Sequence, residues 1–199
     1  SDLREVLDTL QAGRHVGRSF ERMNERDEPF DSLAEFVEEI GEFPILEGDL
    51  SRTVGAQGEV LDSASLDLGR IRAEITTSHR RLLDRLNRMV SDSRYQPALQ
   101  ESIVTMREGR YVIPVRAERR SQVPGVVQGT SASGQTLFVE PMDVVELNNR
   151  WRQLQMDEEH EIERILRART DQIGEVADEL RRTVEAIAAV VNDEAISTY

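Results

Sequence analysis

"IVTMREGRYVIPVR", residues 103–116, is the stretch on which the fold turns. On either side of it apolar residues recur at three- and four-residue spacing, whereas here they form two short runs flanking Glu108-Gly109. Glycine accepts the positive φ that a two-residue hairpin turn demands, so the stretch reads as two antiparallel strands. Pro114 removes a ladder donor, which suits an edge strand or a bulge. Further on, "VVQGTS" and "QTLFVE" flank "ASG" and supply two more strands. Four strands this short make a small antiparallel sheet that cannot hold much core alone, so helices must support it.

The flanking periodicity supplies those helices. Leu3, Val6, Leu7 and Leu10 begin an apolar face that continues through Gly13, Gly17, Phe20 and Met23, predicting a helix to about Arg26 with its glycines under a close neighbour. Asp31 or Ser32 caps a second helix carrying Leu33, Phe36, Val37 and Ile40, which Gly41 ends. Pro44 opens a short third helix with Ile45, Leu46 and Leu50, and residues 54–59 are a connection. Asp62, Ser63 and Ser65 are all N-cap candidates for the next helix, whose face runs Leu68, Ile71, Ile75, Leu82, Leu86, Met89 to about Ser91. After the strands, Asp143 and Glu146 are spaced like a capping box. From Val144 to Val191 the three-four spacing continues without a proline, predicting one unbroken helix of roughly 70 Å that needs a partner along much of its length.

The expected architecture is mainly α with a small antiparallel β subdomain. A helical core portion occupies 1–58, an outgoing lever helix 59–94, a four-stranded clamp-like tip 95–142 and a long returning lever helix 143–199. The two levers run antiparallel, carry the tip at one end and pack on the small helical core at the other.

Composition narrows the chemistry. The 199 residues include no cysteine, which excludes disulfides and thiolate metal sites. No apolar run approaches the roughly 20 residues that span a bilayer, and the N-terminus carries helix signals with no signal peptide. "GTSAS" at 129–133 fails the nucleophile-elbow pattern at its last position, and His15, His79 and His160 all fall in predicted helices. A phosphate-binding loop of the G-x-x-x-x-G-K-[ST] type cannot exist in a chain without lysine. "HEIER" at 160–164 has Arg164 where a zinc helix needs its second histidine, and the acidic run 157–159 reads as a solvated face. Trp151 shares the helix's apolar face, so burial is its default role, with base stacking as the alternative. Ser131, Ser133 and Gly134 are then residues of a tight turn between strands, with Gly134 supplying a positive φ.

The net charge of −13 argues against a nucleic-acid partner, but it is unevenly placed. Residues 70–120 hold 12 arginines against 6 acids, while both flanks are acidic. Arg107, Arg110, Arg116, Arg119 and Arg120 fall in or beside the first hairpin, where guanidinium forks could bind phosphate. The alternative is that they pair internally with the acidic helices.

"GRYVIPVRAE", "VPGVVQGTSASGQTLFVEPMDVVELNN", "EEHEIERIL" and "GEVLDSASLDLGRIRAEI" together resemble the MutS-two family, the Smr-bearing bacterial paralogues of the mismatch-repair protein MutS. The resemblance runs from Gly58 onward, with the first 57 residues similar by helix pattern. Gln128-Gly129 stands where the family usually has His-Asp, and Arg116 where it usually has lysine. Membership implies a core, lever and clamp segment of a longer, dimeric, cytoplasmic protein. That protein would suppress recombination through branched DNA or split collided ribosomes. ATP and magnesium would belong to an ATPase domain elsewhere in the parent, as would any Smr nuclease, leaving this segment with no catalytic residue, cofactor or metal. The other reading is a mechanical or dimerisation scaffold that transmits ATPase state and touches protein rather than nucleic acid.

Overall fold

The computed structural model describes residues 2–24 and 37–197. It is mainly helical with one four-stranded antiparallel sheet. The helices are α1 (Asp2–Asn24), α2 (Pro44–Thr53), α3 (Leu66–Ser91), α4 (Met142–Glu175) and α5 (Ala177–Ser197). The strands are β1 (Thr105–Arg107), β2 (Arg110–Arg116), β3 (Gly125–Thr130) and β4 (Thr136–Pro141). The first part of the expected second helix, residues 31–36, lies outside the described residues, and Val37 and Glu38 beyond it are helical.

Two compact units result, Ser1–Leu68 with Glu161–Tyr199 and Gly69–His160, and each has its own core. In the first unit, the α1 face Leu7 and Leu10 packs with Leu46 and Leu50 of α2, joined by Ile173, Val176 and Leu180. Pro44 sits in the first turn of α2, where its missing N–H costs nothing. A Cβ on Gly13 would lie 3.1 Å from Ile187, so that glycine does mark a close neighbour, whereas one on Gly17 would meet nothing within 4 Å among the described residues. Asp49 accepts hydrogen bonds from Gln172 Nε2 at 2.9 Å and Arg169 Nη1 at 3.4 Å, which tie α2 to α4 and lower its carboxyl below the usual range.

The expected unbroken C-terminal helix is interrupted at Val176. There the amide bonds Ile173 O, three residues back, instead of continuing the four-residue ladder. Gly174 lies two residues earlier and weakens the helix at that point. Unbroken apolar spacing could not reveal the interruption, because Ile173, Val176 and Leu180 stay on one packed face across it.

Of the three cap candidates, Ser65 is the one in use. Its Oγ accepts the Leu68 amide at 2.9 Å and donates to Glu161 Oε1 at 2.6 Å. The hydrogen bonds from Arg164, assisted by the one from Ser65, hold the Glu161 carboxyl at about 2. A carboxyl lowered in the folded state stabilises the fold above its ordinary value and loses that contribution as pH falls through the folded value.

In the second unit, Leu82, Leu86 and Met89 of α3 meet Ile113, Val115 and Val139 of the sheet, with Val144 and Trp151 of α4. The strand order is β1-β2-β4-β3. Glu108 (φ 48°) and Gly109 (φ 74°) form the tight turn between β1 and β2. Pro114 is not on an edge, because β2 lies inside the sheet. It is tolerated because β1 begins opposite Val112, and the chain before β1 reaches β2 through Gln100 N donating to Pro114 O and the Leu99–Val115 bridge. The absent donor points the same way as that carbonyl, outside the regular β1–β2 pairing, so it removes no bond of that ladder. The capping-box expectation also fails: α4 starts at Met142, which puts Asp143 inside the first turn, where it pairs with Arg85.

Where β4 stops at Pro141, a side chain continues the ladder. Fully buried Asn148 of α4 accepts the Tyr111 amide at 3.0 Å and donates to the Tyr111 carbonyl at 3.0 Å.

Two outcomes follow. The stability gap between the chain and Glu161→Gln, read by urea unfolding, is largest near neutral pH and closes as pH falls from about 4.5 toward about 2. Asn148→Leu strands a buried N–H and C=O on Tyr111 and lowers stability by about 2–5 kcal/mol; a loss below about 0.5 kcal/mol would show that the amide does not close the sheet.

Candidate functional site

The five hairpin arginines do not share one fate. Arg110 Nη1 donates to Glu140 Oε1 at 2.7 Å, and its Nη2 reaches Asn149 Oδ1 at 2.8 Å. Glu140 is 1% exposed and also accepts from Gln128 Nε2 at 2.6 Å. Arg110 is therefore the counter-ion of a buried carboxylate. Arg120 places one nitrogen on Val123 O at 2.7 Å and the other on Gly125 O, tying the segment after residues 117–122 to the start of β3. Arg116 donates from Nε to Leu99 O at 3.1 Å, and its side chain is otherwise exposed. The Arg107 guanidinium lies 3.8 Å from the Phe138 ring centroid and also donates to Met106 O. Arg119 is exposed and without a partner among the described residues.

Internal pairing with the acidic helices does not hold for the group. Only Arg110 is ion-paired, and its partner is a strand residue rather than an acidic helix. A carbonyl or an aromatic ring satisfies a guanidinium without cancelling its charge, so Arg107, Arg116 and Arg120, like Arg119, keep theirs, which exposed Glu101, Glu108 and Glu118 nearby in sequence offset in part.

The turn at 131–135 is closed by Gly134 N donating to Ser131 O and Ser131 N to Thr136 O, each at 2.9 Å. Gly134 takes φ 75°. Ser131 Oγ accepts the Thr136 amide at 3.1 Å and stands 3.3 Å from Ser133 Oγ, with no histidine in its contacts. These hydroxyls have structural partners and no general base.

Trp151 is 8% exposed, stacked on His79 at 5.2 Å and tilted against Tyr111 at 5.2 Å. The His79 Nε2 and Tyr111 hydroxyl are 2.7 Å apart. This cluster joins α3, β2 and α4, and it leaves no aromatic face of Trp151 open to a base.

Three residue sets escaped the sequence reading. The buried acceptor Glu140 stood in an alternating strand with no visible partner. Asn148 looked like an ordinary helix-surface amide. Arg80, Arg81 and Arg88 of α3 are exposed and unpaired among the described residues, although the charge excess at 70–120 already included them. Among the described residues there is no cluster of metal-ligating side chains, and no helix is long and apolar enough to cross a membrane.

No family model matches the chain. It is, however, similar to several curated proteins. It is 52% identical over 190 residues to the Endonuclease MutS2 of Thermomicrobium roseum, covering 96% of this chain and 24% of that protein. It is 40% identical over 187 residues to that of Geobacillus thermodenitrificans and 41% identical over 186 residues to that of Pelotomaculum thermopropionicum, each alignment covering 94% of this chain. The chain thus spans about a quarter of the length of these relatives.

Arg110→Ala isolates the buried Glu140 carboxylate and lowers stability by about 3–5 kcal/mol, because breaking a buried pair leaves an uncompensated charge. Arg119→Ala changes stability by less than about 0.5 kcal/mol. Parallel urea unfolding curves distinguish the two positions.

Proposed function

With this chain a segment of the MutS2 family, we propose that it is the lever and clamp part of a nucleotide-driven, nucleic-acid-handling protein. In this proposal the sheet's arginines touch the phosphate backbone of branched DNA or structured RNA. The observation that carries it is the positive charge left on Arg107, Arg116, Arg119 and Arg120 after their internal contacts are made. An acidic chain that keeps such a cluster uncancelled focuses a polyanion there. The relatives' name gives an endonuclease, and a nuclease must hold nucleic acid while it cuts. ATP, magnesium and strand cleavage belong in this proposal to parts of the parent outside this chain. The parent's role is suppression of recombination or rescue of collided ribosomes, acting as a homodimer in the cytoplasm. Arg110 has no part in binding here.

A second reading, a scaffold for dimer or interdomain contact, is favoured by one observation. Val184 and Val191 of α5 are 47% and 56% exposed and line an apolar groove with Thr9 and Ala12 of α1.

Sedimentation of the chain with and without a labelled four-way DNA junction separates the readings. Nucleic-acid handling requires salt-sensitive co-sedimentation, and Arg107→Ala/Arg116→Ala/Arg119→Ala lowers the log–log salt slope by about 2.1–2.7, at 0.7–0.9 per lost phosphate contact. Concentration-dependent self-association that ignores the junction selects the scaffold.

A further inference from the structure

The arginines of α3 form a surface separate from those of the sheet. Arg70, Arg81 and Arg88 stand eleven and seven residues apart, at nearly the same angle around a helix of 3.6 residues per turn. They make a stripe about 27 Å long at 1.5 Å rise per residue.

Opposing charges are available nearby, and they pair the Arg70 end of the stripe but not Arg81 or Arg88. Glu74 binds Arg70 at 3.2 Å and Arg150 at 2.5 Å. Asp143 answers Arg85. Asp84, exposed and four residues from both Arg80 and Arg88, pairs with neither, and Asp92, four residues past Arg88, pairs with Arg94. Arg80, Arg81 and Arg88 have no partner among the described residues, in a chain with 38 acids against 25 arginines.

Beside the stripe lies an open groove of about 480 Å³ between α3 and α4, lined by Arg70, Glu74, Arg81 and Arg150 over Leu147 and Leu154, with Glu74 as its one carboxylate. It is too open to enclose a small molecule, and its cations follow a line. Arg81 and Arg88, two uncancelled guanidinium groups about 10 Å apart along the helix at 1.5 Å per residue, fit a repeating anion better than a single one.

We infer that this face of α3 is a second phosphate-backbone surface, on which Arg81 and Arg88, supported by Arg70 and Arg150, hold a double-stranded nucleic acid. This rests on the nucleic-acid reading above and deepens it. About 27 Å corresponds to roughly eight base pairs at 3.4 Å per step. Contact would depend on charge and spacing, with no base read.

The test measures binding of a labelled 30-base-pair duplex to the chain over a salt series. The proteins compared are the parent, Arg81→Ala/Arg88→Ala, and a control with the same charge change elsewhere, Arg18→Ala/Arg182→Ala. Both pairs are exposed, and circular dichroism confirms that each variant is folded. The inference expects the α3 variant to lose about 1.4–1.8 from the log–log slope while the control loses little. An unchanged slope in the α3 variant, or an equal loss in the control, overturns it. So does displacement of the duplex by polyglutamate charge for charge, which would assign the stripe to an acidic protein. If the α3 variant matches the parent while the sheet-arginine variant loses slope, only this inference fails. If the parent binds no duplex and no junction, the nucleic-acid reading itself fails.

Discussion

One side-chain amide joins the helical and β parts of the Gly69–His160 unit. β4 must stop at Pro141, which has no donor and leads directly into α4. That leaves Tyr111, two residues beyond the last β2–β4 pair at Ile113, with an N–H and a C=O that Asn148 rather than a strand satisfies. Asn148, nearly two turns into α4, supplies the missing acceptor and donor together. A primary amide is the side-chain group that matches a peptide in both roles, so α4 is held in one register against β2. Trp151, one turn further on, then meets His79 and Tyr111, and Asn149 meets Arg110. The helix entry, the aromatic cluster and the position of one arginine all follow from that pair of hydrogen bonds.

The same linkage sorts the arginines. Burying Glu140 within the sheet imposes a large desolvation cost, which a nearby guanidinium with good geometry offsets. Arg110 is held there by Glu140 on one side and Asn149 on the other, so its charge is cancelled where it is needed structurally. Arg120 is fixed by carbonyls and keeps its charge. Internal contact and availability to an external anion are therefore separate properties. A guanidinium ordered by neutral acceptors presents its charge with less entropy left to lose when phosphate arrives.

Much of this was legible in the sequence, for reasons specific to each element. The α3 face from Leu68 to Met89 was readable because helical burial repeats every three to four residues and no other element interrupts it. Glu108-Gly109 gave its hairpin because local sterics alone select that turn. What failed depended on long-range pairing. Pro114 is inside the sheet because of where β1 happens to begin, and the interruption at Val176 leaves the hydrophobic pattern intact. Asp143 had the spacing of a cap but is taken by Arg85, 58 positions earlier in the chain. The five hairpin arginines looked alike in sequence, since what separates Arg110 from Arg119 is a carboxylate 30 residues away.

The absence of lysine acquires a local meaning in this setting. In sequence it could be set aside as compositional drift, and for exposed positions nothing contradicts that. At Arg110 and Arg120, however, two nitrogens of one planar group serve two different acceptors at once. An ammonium, with one nitrogen at the end of a flexible stem, could reach one acceptor of each pair without fixing the other. Arginine is thus required where the sheet is stapled, while on α3 only its charge is in play. A chain that uses one residue type for both tasks hides the difference in its sequence and displays it in which guanidinium groups have partners.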